Sequence, residues 1–185
     1  MFAFLRVFLF LILPLPAIAQ QVDWTEVMRE AEWDWRPGDL IFRNGLSELD
    51  EMIRQAEGAD WSSVGILRAA SGDPRVVIVD EGEGVTERML SEYVDSLAPD
   101  EYAVYRIDAL DVNAPGQQIQ MGPVASYALI FAYGAPFDSL RMFGNGAYYN
   151  AELPFEAVQS FGVVLGQPTR LSVLGAANPA LRDKL

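Results

Sequence analysis

Short runs of aliphatic and β-branched residues alternate with segments of helical periodicity along most of this chain. Buried strands are predicted where such runs lie between turn residues, at 40–42, 64–67, 76–79, 102–107 and near 170–174. Helices are predicted where apolar side chains recur every three or four residues, at 24–33, 46–57, 87–93, 124–133 and 151–161. Turns and connectors are predicted from Gly, Pro, Asn and Asp at 36–39, 71–74, 81–84, 113–116 and 145–146. This alternation, without an internal repeat or a linker-like stretch, predicts one α+β domain.

Three residues indicate where the last two predicted helices bend or begin. Pro123 is expected to bend a helix that begins before residue 124, since proline cannot donate a backbone hydrogen bond. Asn150 is expected to be the N-cap of the last predicted helix, where its side-chain oxygen accepts from an unpaired N–H group. Pro154 falls in the first turn of that helix, where proline is tolerated.

The chain of 185 residues contains no cysteine and no histidine. A thiolate nucleophile, a disulfide, a thiolate zinc site and an imidazole base are therefore excluded, and no cofactor or metal is expected. The apolar fraction of 51% is ample for a core that holds without cross-links. The formal charge of −13 argues against nucleic acid as a partner, because phosphate neutralisation needs clustered basic residues.

The first nineteen residues have the pattern of a secretory signal peptide. One arginine precedes an apolar run over 7–18, and Ala17-Ile18-Ala19 offers small residues where a signal peptidase cleaves. The run contains two prolines and is shorter than the ~20 residues of a membrane span. Residues 1–19 are thus expected to be removed, leaving an exported, periplasmic or secreted protein without a stable membrane anchor.

Three stretches, taken in order, carry a resemblance to a known family. They are Arg36-Pro37-Gly38-Asp39-Leu40-Ile41-Phe42, Trp61-Ser62-Ser63-Val64-Gly65-Ile66, and the region from Gly134-Ala135-Pro136-Phe137-Asp138 to Tyr148-Tyr149-Asn150-Ala151-Glu152-Leu153. Over residues 35–165 the chain resembles the circularly permuted, papain-like NlpC-type hydrolases of the YiiX/YebB-like group. The resemblance implies an α+β papain-like domain over 35–175, with a small antiparallel sheet flanked by helices. An N-terminal segment, 20–34, precedes it and a tail, 176–185, follows it.

The resemblance also implies a site from which the reacting groups are missing. Position by position, the histidine of the family falls at Ser63 and the cysteine nucleophile at Asn150. The polar residue that orients the histidine falls at Asp80, with Glu81 as the alternative register. The acidic cluster that begins at Asp80 otherwise reads as a solvated turn rather than a calcium loop. Further ligand-binding candidates beside these positions are Asp39, Trp61, Ser62, Glu81, Tyr148 and Tyr149.

The expected function is that of a catalytically inactive relative that binds a ligand in the degenerate cleft. The family acts on amide or ester bonds, so the resemblance implies a cell-wall peptide or an acyl lipid as ligand. One alternative is an active amide or ester hydrolase that uses Ser62 or Ser63 as nucleophile, with Asp80 or Glu81 as base. Another alternative is a structural protein of the cell envelope that binds an unknown protein partner.

Overall fold

The computed structural model describes residues 35–71, 74–98, 100–113 and 120–185. The predicted signal peptide and the predicted helix at 24–33 lie outside the described residues. So do parts of the turn predicted at 71–74 and of the connector predicted at 113–116.

The described residues form a five-stranded antiparallel sheet with the strand order β4-β3-β2-β1-β5. Its strands are β1 (Leu40–Arg43), β2 (Ser63–Arg68), β3 (Arg75–Asp80), β4 (Gly84–Met89) and β5 (Tyr102–Tyr105). Strand β2 is central, and β1 lies between β2 and β5, so that Leu40 is opposite both Ile66 and Tyr105. The strands predicted near 40, 64, 76 and 102 are confirmed, as is the α+β class with an antiparallel sheet and helices.

Helices cover both faces of the sheet. The described α-helices are α1 (Glu48–Glu57), α2 (Leu90–Tyr93), α3 (Gly122–Tyr127), α4 (Glu152–Gln159), α5 (Leu171–Ala177) and α6 (Pro179–Arg182). A 3₁₀ turn spans Asp108–Leu110, and a π-helical segment, Ala128–Ala132, continues α3. Ser47 accepts from the Asp50 N–H group as the N-cap of α1, and Gly58 ends that helix in the left-handed conformation. None of the described helices is both long and apolar enough to cross a bilayer.

Two hydrophobic cores lie on opposite faces of the sheet because neighbouring strand residues point in opposite directions. Leu40, Val64 and Val77 pack with α3 and α4 on one face. Ile41 and Leu67, with their strand neighbours, pack against α2 on the other face. The candidate site lies at the Ser63 end of β2, where residues of both faces come close to the same opening.

The helix predicted at 87–93 is wrong over its first three residues. Residues 84–89 form β4, which pairs with β3 from Asp80 opposite Gly84 to Arg75 opposite Met89, and only Leu90–Tyr93 is helical. Glu87 explains why the strand prevails, because its carboxylate binds Arg68 at 2.5 Å from within the sheet. This ion pair joins positions nineteen residues apart, so the local helical spacing gave no sign of it.

The predicted strand near 170–174 is also wrong, because Leu171–Ala177 is helix α5. Leu171 and Leu174 are three residues apart and lie on the helix face that borders an apolar groove. The segment predicted as a tail, 176–185, contains α6, where Leu181 is fully buried. Pro123 lies in the first turn of α3 instead of bending a longer helix, so that helix begins at Gly122.

Candidate functional site

Ser63, Asp80 and Asn150 line one cleft of about 710 Å³. The cleft opens where β2 and β3 separate: their last pair towards this end is Ile66 with Val77. Glu81 lines the same cleft. The three positions that the resemblance places together are therefore neighbours in the folded chain.

The Asn150 amide occupies the backbone edge that β3 leaves unpaired. Its Oδ1 accepts from the Val64 N–H group at 2.9 Å, and its Nδ2 donates to the Ser62 carbonyl at 2.8 Å. These two backbone groups flank residue 63, which is the pattern that a parallel neighbouring strand makes. Asn150 thus takes the place of a residue of a neighbouring strand beside the first residues of β2.

The prediction that Asn150 caps the helix is wrong. Helix α4 begins at Glu152, and the residue before it, Ala151, makes no side-chain cap. The physical reason is that the Val64 and Ser62 backbone groups would be left unpaired beside the cleft. Buried backbone groups without a partner are costly, whereas the first N–H groups of a helix are readily satisfied by other means.

A chain of polar contacts continues from Asn150 across the mouth of the cleft. The Asn150 Nδ2 atom also donates to Asp50 Oδ2 at 3.2 Å, and Asp50 Oδ1 binds the Arg141 guanidinium at 3.0 Å. The Arg141 guanidinium lies over the Phe137 ring, 5.9 Å from its centroid. The Arg141–Asp50–Asn150 network therefore holds the 137–148 loop, α1 and the end of β2 together.

Two buried hydroxyls in the wall of the cleft have no hydrogen-bond partner among the described residues. Ser63 and Tyr93 are each 4% exposed, and Ser63 Oγ and Tyr93 Oη are both unpaired. Burial raises the pKa of the Tyr93 phenol well above its ordinary value, so the group stays protonated. Arg43 lies 5.5 Å from the Tyr93 ring centroid and donates to the Tyr93 carbonyl. The two oxygens are thus polar atoms enclosed within the wall beside Ser63.

The carboxylates at the position where the resemblance has a polar orienting residue, Asp80 and Glu81, make other contacts. Asp80 Oδ1 accepts from the N–H groups of Gly82 and Glu83 at 2.8 and 3.1 Å, and Oδ2 lies 3.5 Å from the Arg88 guanidinium. Glu81 accepts from the Ser47 hydroxyl at 2.9 Å. No group of three or more potential metal-ligating side chains occurs in the ranges that the structure describes.

The cleft carries more carboxylates than guanidinium groups. Its charged lining residues are Asp50, Asp80, Glu81, Glu92, Arg43 and Arg88. Since Arg141 already neutralises Asp50, the remaining carboxylates give the cleft a slight excess of negative charge. Such a lining favours a cationic group on a ligand over an anionic one.

Ser62 lies beside the cleft but its side chain is engaged with α1. Its hydroxyl donates to Glu51 Oε1 at 2.6 Å, and its N–H group donates to Asn44 Oδ1 at 2.8 Å. Burial alone would raise the pKa of Glu51, but hydrogen bonds from Ser62, Gly45 and Arg54 outweigh it and lower the pKa below its ordinary value. The pair is therefore a structural contact between α1 and the start of β2.

The other predicted ligand-binding residues lie away from the cleft. Asp39, at the opposite end of β1, receives two hydrogen bonds from Arg106 at 3.0 and 2.8 Å. Tyr148 is buried in the core, with its hydroxyl 3.4 Å from that of Tyr127. Tyr149 lines a separate groove, and burial, reinforced by the Glu152 carboxylate, raises its pKa to about 12. Half-buried Trp61 lines neither cavity.

Sequence reasoning missed the residues that complete the site. Arg43, Asp50, Tyr93 and Arg141 come from four different parts of the chain, and no motif links them. Asp50 looks like an ordinary acid in the first turn of a helix, and Arg141 lies in an irregular loop. Their roles follow only from long-range contacts, as in the pair of Asp50 with residue 150.

Structural comparison with known proteins identifies the fold, whereas sequence comparison identifies no family. No family model matches the sequence, and no curated protein matches it. The structure is similar to a crystal structure described as the metalloprotein YiiX from Escherichia coli O157:H7. The TM-score is 0.67 and the identity 24%, over 83% of this chain and 81% of that one. The chain therefore has an α+β, YiiX-like fold.

Proposed function

We propose that this protein binds a ligand without hydrolysing it, on a permuted papain-like scaffold of the NlpC type. The observation that carries the proposal is the position of Asn150. It stands where the resemblance has a cysteine nucleophile, and its amide is bound by Val64, Ser62 and Asp50. The cleft around it nevertheless stays open, with a volume of about 710 Å³.

The chemistry of these residues supports binding without turnover. An amide nitrogen is a very weak nucleophile, and Ser63 supplies no base near neutral pH. Asp80 is engaged with its own turn and with Arg88, and among the described residues neither the Ser62 nor the Ser63 hydroxyl donates to it. Losing both the nucleophile and its base costs a rate factor on the order of 10⁴–10⁶.

An alternative serine nucleophile finds little support. The Ser62 hydroxyl does contact a carboxylate, that of Glu51, at 2.6 Å. A useful general base has a pKa raised towards the working pH, whereas the pKa of Glu51 is lowered. Ser62 also does not line the cleft. The contact is better suited to joining α1 to β2 than to proton transfer.

The lining of the cleft favours a short peptide with a free amino group over an acyl chain. Glu81 and Glu92 supply negative charge for an ammonium group. Leu46 and Phe137 offer limited apolar contact beside them. Together with the expected export of the chain, this lining supports a cell-wall peptide as the ligand.

Calorimetric titration of the purified protein with peptides released from cell wall tests the proposal. We expect saturable binding that weakens when the peptide amines are acetylated, and intact peptides by mass spectrometry after incubation. Leu46→Trp should abolish binding, because Leu46 is half exposed at the cleft and the larger indole ring would fill the space that the peptide needs. The matched control is Ile130→Trp, at a more exposed position outside the cleft.

Two outcomes would contradict the proposal. Peptide cleavage above a heat-treated control, lost in Ser62→Ala, would favour the active serine hydrolase instead. Absence of saturable binding, or equal binding by Leu46→Trp and Ile130→Trp, would favour the structural, partner-binding alternative.

A further inference from the structure

A second cavity lies on the other side of the Asn150 network. It is a groove of about 870 Å³ between the sheet, α1, α4 and the segment 165–174. Among the described residues, Val64 lines both this groove and the cleft. Arg141, whose ion pair with Asp50 faces the cleft, lines the groove, so the network forms the partition between them.

The groove is apolar because of the alternation of β1 and the packing of α4. Leu40 and Phe42 point to this face from β1. Phe143 lies edge-on to Tyr149 and Phe155, with ring centroids 5.9 and 5.4 Å apart, which makes one wall a connected aromatic surface. The opposite wall comes from residues 165–174, which include α5. A ligand buried here would contact mainly carbon atoms, as ligands do in most small-molecule sites.

The groove is lined by fewer charged residues than the cleft. Its described charged residues are Glu57, Arg141 and Arg170. Arg141 is paired with Asp50. Arg170 is exposed just before α5, and its guanidinium has no ion-pair or hydrogen-bond partner in the described part of the chain, although its carbonyl accepts from Val173 and Leu174. An unpaired guanidinium beside an apolar groove is notable in a chain with a formal charge of −13.

We propose that this groove binds a single long-chain fatty carboxylate, with the alkyl chain against the aromatic wall and the carboxylate at Arg170. The volume and lining suit one alkyl chain, and a guanidinium binds a carboxylate in a two-point geometry. This site is distinct from the peptide cleft and does not rest on the function proposed for it.

Equilibrium dialysis of the purified protein against palmitate, below its micellar concentration, tests the proposal. We expect saturable binding of one palmitate per chain, weaker binding of hexadecanol, and weaker binding still of the cation hexadecyltrimethylammonium. Arg170→Gln should weaken palmitate binding about tenfold and leave hexadecanol binding unchanged, because it removes a charge-assisted contact. The matched control is Arg182→Gln, which removes the same charge from a side chain on α6 that is 63% exposed.

A second variant separates the groove from the cleft. Ser172→Trp places a large ring at an exposed position in the groove wall and should abolish palmitate binding, with unchanged thermal unfolding. Leu46→Trp, in the cleft, should bind palmitate normally. Lack of saturable palmitate binding, or equal losses in Arg170→Gln and Arg182→Gln, would overturn the proposal. Self-association that palmitate leaves intact and Ser172→Trp abolishes would assign the groove to a second copy of the chain.

Discussion

At the scale of single residues, Asn150 shows how one amide can replace a strand. Its side chain carries a donor and an acceptor on the same planar group, as a peptide unit does, and both face the free edge of β2. The third contact, to Asp50, fixes which end of the amide is the donor. Asn150 therefore serves the stability of the sheet.

Replacing Asn150 tests this role directly. Asn150→Ala should lower the free energy of unfolding by about 2–4 kcal/mol, because the Val64 and Ser62 backbone groups and Asp50 lose a partner. Asn150→Asp has the same shape but places a carboxylate against Asp50 and the Ser62 carbonyl. The difference in unfolding free energy between this variant and the parent should shrink as the pH falls from 7 towards 4, because the introduced carboxylate becomes protonated. Urea unfolding at several pH values measures both variants. A loss of unfolding free energy in Asn150→Asp that does not change with pH would contradict the assignment.

A second prediction at this scale concerns the contribution of the Glu51 carboxylate to stability. Its carboxylate accepts from Ser62, Gly45 and Arg54, and its folded pKa is lowered from the ordinary 4.5. A lowered folded pKa gives stability that is present above the unfolded value and lost as the pH falls through the folded value. Glu51→Gln should therefore destabilise by about 1–2 kcal/mol at pH 7.

The Glu51→Gln deficit should become smaller below pH 4.5, where the parent carboxyl also becomes protonated. Urea unfolding of parent and variant between pH 3 and 7 measures the difference. Glu57→Gln, on an exposed side chain of the same helix, is the control and should change little at any pH. A constant deficit across this range would contradict the role given to the Glu51 carboxylate.

At the scale of elements, the hairpin of β3 and β4 depends on one glycine. Gly84 has φ of +74° and begins β4, and a Cβ atom there would lie 2.1 Å from the Ala135 carbonyl oxygen. That oxygen accepts from the Val85 N–H group at 2.9 Å, so the loop after the π-helical segment lies directly on the strand. Gly84 thereby joins β4 to the part of the chain that leads into the cleft loop.

Gly84→Ala should lower the free energy of unfolding by about 2–4 kcal/mol, because backbone strain adds to a clash with another backbone segment. Gly45→Ala is the matched control, since φ there is +82° but no atom lies within 4 Å of the added Cβ. It should cost only about 1 kcal/mol, from the left-handed conformation alone. Equal losses in urea unfolding would mean that the approach of Ala135 is not what requires glycine.

At the scale of the whole molecule, Asp39 joins the turn before β1 to the chain after β5. It is 3% exposed and binds Arg106 through two hydrogen bonds, while the Arg36 N–H group donates to it at 2.7 Å. Arg36 in turn binds Asp111 at 2.5 Å. These contacts lie at the end of β1 opposite the cleft, so they stabilise the fold without entering the site.

Asp39→Asn should lower the free energy of unfolding by about 2–3 kcal/mol, because it removes the charge of a buried carboxylate that receives two hydrogen bonds from Arg106. The control is Glu83→Gln, which breaks an exposed pair with Arg88 and should cost less than about 0.5 kcal/mol. Both values come from urea unfolding at pH 7. Ligand binding in the cleft should be unchanged in Asp39→Asn, and a loss of binding in the folded variant would place Asp39 in the site after all.

The local pattern of the chain determined most of the described strands and helix α1. β-branched runs such as Val76–Val79 and the apolar spacing of 46–57 are short-range signals, and both elements form where they were predicted. The absence of cysteine and histidine was equally decisive for the chemistry, because it holds whatever the fold.

Tertiary structure alone decided what the site residues do. Asn150 could cap a helix or pair with a strand, and the strand prevails because β3 turns away from β2 and leaves backbone groups unpaired. Residues 87–89 could be helix or strand, and the partner Arg68 lies nineteen positions away. Such choices depend on groups that are distant in sequence and close in space, so the separation of a polar cleft from an apolar groove emerged only with the fold.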